Sequence, residues 1–297
     1  MKTIVGITGT TSVGKSRVAV NLAKHLDTEI ISADSMQIYK GMDIGTAKIS
    51  INEMAGVTHH MIDVVEPNCN YSSFLYQRDA SKIIDSMQST PIVVGGTGFY
   101  FDSLLYPPEF GSADENKRAE LHRILDNEGL TPLQEQLKNL DSQTYSTIDL
   151  RNPQRLIRAI EIAQGGKKKS HGKGKIKPKY DMKLFVLQRN RLQLYQHIDK
   201  RVDEMVQNGL VDEVKKLVDT YGACDTTAFS AIGYKEIIDY LRGNTTLKDA
   251  IDKIKLNTRH YAKRQITYFK KMNVTEFVDV DGKTTEEIAE YIYKKAF

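Results

Sequence analysis

The densest chemistry in the chain lies near its start, in Ile7-Thr8-Gly9-Thr10-Thr11-Ser12-Val13-Gly14-Lys15-Ser16. The spacing is G-x-x-x-x-G-K-[ST], with an apolar run at 3–8 before it and a helical run at 16–26 after it. In that context Gly9, Thr10, Thr11, Ser12, Val13, Gly14, Lys15 and Ser16 read as a phosphate-binding loop. The glycines let the backbone fold around phosphate oxygens. Amide N–H groups then point inward at a helix start, where the dipole favours anions. Lys15 adds a point charge, and the Ser16 hydroxyl is placed to hold Mg²⁺. The motif implies a bound di- or triphosphate and leaves open which bond breaks.

Asp34 follows the next β-like run, in Ser32-Ala33-Asp34-Ser35-Met36-Gln37. A carboxylate there, beside the phosphate loop, can hold Mg²⁺ through water, act as a general base, or cap a turn. The run at 91–94 leads into Gly95-Gly96-Thr97-Gly98-Phe99-Tyr100. In many phosphate-loop NTPases a strand of this kind ends in a metal-holding Asp. Glycines and Thr97 stand there instead, which argues against NTP hydrolysis and leaves room for a bulky ligand. Two regions are basic. Arg151, Arg155 and Arg158 lead one helical run. Lys255, Arg259, Lys263, Arg264, Lys270 and Lys271 punctuate a late one, interleaved with Tyr261, Tyr268 and Phe269. Basic faces with aromatics suit a nucleic-acid backbone and unstacked bases. His59-His60 has no evident third metal ligand and reads as structural.

These residues need a frame. Candidate strands at 3–8, 29–32, 61–65 and 91–94 alternate with helical runs at 16–26 and 72–87, which argues for a parallel sheet covered by helices. After Tyr106-Pro107-Pro108 the texture turns helical, at 114–127, 132–140 and 153–164, and no strand returns until 183–187. Helices at 192–208, 210–219, 234–241 and 247–271, a strand at 274–280 and a helix at 285–294 complete the chain. The expected fold is α/β: a P-loop NTPase-like parallel sheet with helices on both faces, plus a mostly helical insertion domain. The core is 1–106 with 181–297. The insertion is 107–180, and it ends in a lysine- and glycine-rich basic loop at 165–179. With 40% hydrophobic and 27% charged residues, the 297-residue chain is of the soluble globular kind. Its net charge of +4 is mild, so the placement of charge matters more than the total. Cys69 and Cys224 have no zinc spacing, which fits a reducing compartment. No apolar stretch reaches membrane-span length, and no signal-peptide pattern opens the chain.

Taken together, the motifs resemble the tRNA dimethylallyltransferase family, also called tRNA isopentenyltransferases or IPP transferases. The matching segments are 9–16, 32–39, 41–48, 59–63, 95–100, 152–158, 198–205, 232–236 and 262–268, so the resemblance covers nearly the whole chain. Thr10 and Val13 depart from the family's usual proline and serine, and Tyr268 stands where tryptophan is common. The resemblance implies transfer of the dimethylallyl group of dimethylallyl diphosphate to N6 of the adenine immediately 3′ of a tRNA anticodon, with Mg²⁺ as cofactor. It implies Asp34 as the base that takes the N6 proton, Thr97 as a group that positions the amine or the base, and Arg201 as a diphosphate clamp beside Lys15 and Ser16. Ser35, Met36, Gln37, Gln154, Arg155, Arg158, Lys263, Arg264 and Gln265 would hold the anticodon stem-loop and the extruded base. A cytoplasmic monomer with no membrane or protein partner is the expectation. The rival readings are a small-molecule or nucleotide kinase, a prenyltransferase acting on free AMP or ATP, and a phosphate-regulated RNA-binding protein.

Overall fold

Neighbouring residues of a strand point to opposite sides of a sheet. Runs such as Ile4-Val5, Ile30-Ile31 and Ile92-Val93-Val94 therefore need apolar cover on both faces, as parallel sheets have. A computed structural model describes residues 1–106, 115–165 and 177–297. These form one unit from Met1–Leu105 with Lys179–Phe297, and a second from Tyr106–Pro178.

The first unit opens with β1 (Thr3–Gly9), α1 (Lys15–Leu26), β2 (Ile30–Ser32), α2 (Ile51–Met54), β3 (His59–His60), α3 (Ser73–Ser86), β4 (Ile92–Val94) and α4 (Gly98–Leu105). The second unit holds α5 (Glu115–Glu128), α6 (Thr131–Leu140), α7 (Ser142–Tyr145) and α8 (Pro153–Gln164). The chain returns to the first unit through β5 (Asp181–Gln188), α9 (Arg191–Gln207), α10 (Leu210–Tyr221), α11 (Tyr234–Leu241), α12 (Leu247–Phe269), β6 (Glu276–Asp279) and α13 (Thr285–Ala296). The six strands are all parallel, in the order β3-β2-β4-β1-β5-β6.

Alternation along the strands builds two cores. Ile4, Ile31, Val93 and Leu184 face a cluster with Tyr76 and Ile84 of α3, Phe101 and Leu104 of α4, and residues of α9 to α12. Val5, Ile30, Ile92 and Phe185 face the opposite cluster, with Val18, Leu22 and Ala23 of α1 and Ile288 and Ile292 of α13. The α/β parallel sheet with helices on both faces is thus present. In the second unit Leu121, Leu133, Leu137, Leu156 and Ile160 form a separate helical core.

One strand differs from its expectation. The apolar stretch 61–65 does not extend β3, which stops at His60. Met61 and Asp63 lie at φ 62° and 54°, left-handed values that turn the chain off the sheet edge. Val64 and Val65 instead donate backbone bonds to Ile38. The final strand is shorter than 274–280, and α2, α4 and α7 are additions. Pro107-Pro108 and most of the basic loop at 165–179 lie outside the described residues.

Candidate active site

The turn after β1 is held open by backbone constraints. Gly9 lies at φ 144°, and a Cβ there would sit 2.3 Å from the Leu187 carbonyl oxygen, so no other residue fits. Gly14, at φ 94°, precedes α1 without any side-chain cap, which leaves the first-turn N–H groups of α1 unsatisfied by its own cap. The Lys15 ammonium donates to the Thr10 carbonyl at 2.7 Å. Burial lowers its pKa to about 8, with the Asp34 carboxylate opposing that fall and Arg201 adding to it. The hydroxyls of Thr10 and Ser12 are buried with no hydrogen-bond partner.

Asp34 stands just past β2. Its Oδ1 accepts the N–H groups of Met36 at 2.9 Å and Gln37 at 3.4 Å, so one oxygen caps the turn. Oδ2 has no hydrogen-bond partner among the described residues. Thr97, three residues past β4, accepts the Ser35 N–H at 3.0 Å and donates to the Ser35 hydroxyl at 3.2 Å. That pair locks the segment bearing Asp34 to the segment after β4. The glycines between permit close approach of the protein's own atoms. A Cβ on Gly95 would lie 2.1 Å from the Ala33 carbonyl oxygen, and one on Gly96 would lie 2.5 Å from Gln265 Nε2. Both also line the large cavity of the site.

Gln265, expected to hold RNA, is buried in the free protein. Its Oε1 accepts the Thr11 N–H at 3.0 Å and its Nε2 donates to the Gly96 carbonyl at 2.9 Å. It ties α12 to the phosphate loop and to the turn after β4 through both ends of its amide. Met36 is partly buried, packs against the apolar core and lines the cavity. Gln37 donates to the Thr46 and Ala47 carbonyls, each at 3.4 Å.

The segment 41–48 is pinned by residues that spacing alone did not single out. Glu213 of α10 accepts the N–H groups of Asp43, Ile44 and Gly45 at 2.7–3.1 Å, and the Tyr234 hydroxyl at 2.6 Å. Lys48, nearly buried, donates to the Tyr39 carbonyl at 2.7 Å and pairs with Asp43 and Asp63. Only the segment's match to a family pattern signalled its importance.

These elements enclose a cavity of about 1170 Å³, lined among others by Lys15, Ser16, Asp34, Arg201, Tyr261 and Arg264. Arg201 enters from α9. Burial pushes its pKa below the usual guanidinium value, while the carboxylates of Asp34, Glu204 and Glu53 hold it up. The Tyr261 hydroxyl is pushed up to about 12 by burial and by the Asp34 charge. Cationic and anionic groups therefore share one partly desolvated wall, where each acts more strongly than in water.

The late basic face is not uniform. Lys255 pairs with Asp203 at 2.6 Å, and Arg259 with Asp199 at 2.6 Å, so α9 neutralises the first half of α12. Among the described residues no carboxylate pairs with Lys263, Arg264, Lys270 or Lys271. In the second unit Asn152 caps α8 through the Arg155 N–H, at 3.1 Å. Gln154 and Arg155 are exposed. Arg158 and Arg118 both pair with Glu161, at 3.0 and 2.6 Å. His59 bonds the Val57 carbonyl and His60 bonds Glu29, both within the sheet edge.

The donor chemistry suits a hard cation. Ser16 lines the same cavity wall as Asp34, and the orphaned Ser12 hydroxyl lies in the same loop. The Ser16 hydroxyl and the Asp34 carboxylate are hard oxygen donors of the kind Mg²⁺ takes together with substrate phosphates.

A family model described as IPP transferase matches residues 37–272, and one described as isopentenyl transferase matches residues 2–66. A curated relative from Caldanaerobacter subterraneus subsp. tengcongensis, named tRNA dimethylallyltransferase, is 44% identical over 98% of this chain and 96% of its own. One of the same name from Clostridioides difficile is 42% identical over 94% of this chain and 92% of its own. Among solved structures, a tRNA isopentenylpyrophosphate transferase from Bacillus halodurans superposes with a TM-score of 0.74 at 40% identity, over 100% of this chain and 97% of that one. A eukaryotic dimethylallyltransferase acting on tRNA gives 0.84 at 28% identity, over 99% of this chain and 80% of that one.

Proposed function

The chain belongs to the IPP transferase family of tRNA dimethylallyltransferases, and from that premise we propose that it moves a dimethylallyl group from dimethylallyl diphosphate to N6 of the adenine immediately 3′ of a tRNA anticodon. One observation carries the assignment of roles: Lys15 of the phosphate loop, Arg201 of α9 and an Asp34 whose Oδ2 is unengaged line one cavity, with Asp34 in electrostatic reach of both cations. A donor diphosphate seated on the loop brings its allylic carbon toward the carboxylate side.

In the reaction the allylic carbon–oxygen bond breaks and the N6–carbon bond forms. The electron pair of the broken bond leaves on diphosphate. Lys15, Arg201 and the loop N–H groups stabilise the charge that grows there, which lowers the barrier because the effect is larger in the transition state than in the ground state. The N6 amine of adenine is a weak nucleophile, since its lone pair is delocalised into the ring. Asp34 Oδ2 accepts the amine proton as the new bond forms. Thr97 contributes by fixing Ser35, and through it the Asp34 turn. Mg²⁺, held by Ser16 and the donor's phosphate oxygens, would supply further neutralisation of the leaving group. The adenine must leave its stack to reach the cavity. Lys263 and Arg264 supply electrostatic contacts to the anticodon stem-loop; in the second unit the exposed Arg155 offers a further charge and Gln154 a neutral hydrogen-bonding side chain.

The kinase rival lacks a metal-holding acid after β4, and the collision at Gly95 leaves no space for a side chain at that position. The test is diphosphate release with dimethylallyl diphosphate and Mg²⁺, run with tRNA, with AMP and with no acceptor. Release that requires tRNA and matches the RNA modified mole for mole is expected. Equal release with AMP would move the activity to the free nucleotide, and release without acceptor would make the protein a hydrolase.

A further inference from the structure

Phe99 is a large apolar side chain left mostly in solvent, at 66% exposure, one residue into α4 and two past Thr97. Its ring is not free to move at random. It lies edge-on to the Tyr268 ring, with centroids 5.0 Å apart. Tyr268 is itself clamped on both sides. Its hydroxyl donates to Asp102 of α4, and its ring lies so close to the backbone that a Cβ on Gly98 would sit 2.3 Å from it. The exposed phenyl is thus mounted on a rigid aromatic base that joins α4 to α12.

The surroundings say what would cover it. Beside Tyr268 lies a hollow of about 270 Å³ walled by Lys263, Arg264, Thr267, Tyr268 and Lys271. Among the described residues none of its three cations pairs with a carboxylate, whereas Lys255 and Arg259, earlier on the same helix, are both paired. Arg264 lines both this hollow and the large cavity. A flat apolar ring next to unneutralised cations matches a base with its phosphate, because every base offers a π-face and every nucleotide an anion.

We infer that Phe99 is the stacking platform for an unpaired tRNA base adjoining the adenine that enters the cavity, with Lys263 and Lys271 taking the flanking phosphates. The inference rests on the reading of the cavity as a site for a tRNA adenine. Its physical reason is that extruding one base removes a stacking partner from its neighbours. An aromatic face, joined through Tyr268 to the helix that carries Arg264, replaces that partner and holds the opened loop.

The test uses the full protein and an anticodon stem-loop RNA carrying 2-aminopurine, in turn, at each loop position next to the target adenine. The unaltered protein should quench one of these positions on binding. Phe99→Leu should abolish that quench and weaken RNA binding roughly ten- to a hundredfold, the range expected for loss of one aromatic stack. Phe99→Tyr should restore both. The dissociation constant for dimethylallyl diphosphate should be unchanged in both variants. Lys271→Ala should lower the slope of log affinity against log salt by about one, and Phe99→Leu should leave that slope alone. Binding, transfer and quenching by Phe99→Leu equal to those of the unaltered protein would overturn the stacking role while leaving the tRNA reading intact. No binding of the RNA by the unaltered protein would overturn both.

Discussion

Asp34 and Lys15 divide the work at the reacting atoms, and each can be tested alone. Asp34→Asn keeps an oxygen for the Met36 N–H and so keeps the turn, but it cannot take the N6 proton. Turnover should fall by about 10²- to 10⁴-fold, with tRNA affinity within twofold as measured by filter binding. Near-normal turnover would remove Asp34 from the base role. Lys15 has its pKa lowered from 10.5 to about 8 by burial. Raising pH through about 8 therefore strips the charge from the donor-free protein, and diphosphate affinity should fall there. Bound diphosphate restores the ammonium, so binding between about pH 8 and 10.5 should take up a proton. Calorimetry in buffers of different ionisation enthalpy should show that uptake, and Lys15→Met should lose it. The folded state binds fewer protons than the unfolded chain across the same window, so the stability cost of burying the Lys15 ammonium shrinks as pH rises from about 8 to 10.5. Both residues are legible from spacing: one follows a Gly-Lys-Ser signature, the other a strand end. Gln265 is not legible in its role. Its sequence context is basic, and only the fold shows its amide turned inward.

At the scale of elements, the site depends on how closely the ends of β2 and β4 approach. Gly95→Ala should cost about 1–3 kcal/mol in urea unfolding, because its Cβ would meet the Ala33 backbone rather than a side chain that could move. Stability unchanged from wild type would mean that the two strand ends yield easily. Gln265→Leu leaves the Thr11 N–H and the Gly96 carbonyl without partners, each worth about 1–3 kcal/mol when buried. It should raise the KM for dimethylallyl diphosphate by distorting the loop; an unchanged KM would make the bridge irrelevant to donor binding. The alternation of apolar runs and helices exposes the sheet to prediction, since period and length are local properties. The failure at 61–65 has a local cause of another kind. Met61 and Asp63 adopt left-handed backbone that their residue types do not announce, and the pairing that rewards it involves Ile38, far away in sequence.

For the whole molecule, charge placement decides where a polyanion can bind. The net charge of +4 gives little guidance, and the sequence shows one long basic face on α12. The structure divides that face, because Asp199 and Asp203 of α9 neutralise its first half. Such pairing between distant helices cannot be read from i and i+4 spacing. Lys255→Ala should leave the salt dependence of tRNA binding unchanged, while Lys263→Ala should lower its slope by about one. Equal effects would mean that the ion pairs open when RNA binds. The most direct test of the account is nucleoside mass spectrometry of an unmodified tRNA incubated with the protein, Mg²⁺ and dimethylallyl diphosphate, with ATP replacing the prenyl donor in a parallel arm. One dimethylallyl group on the adenine next to the anticodon is expected, with no change in the ATP arm. A tRNA recovered unmodified, with prenyl transfer to free AMP or phosphate transfer from ATP to a small acceptor in its place, would contradict it.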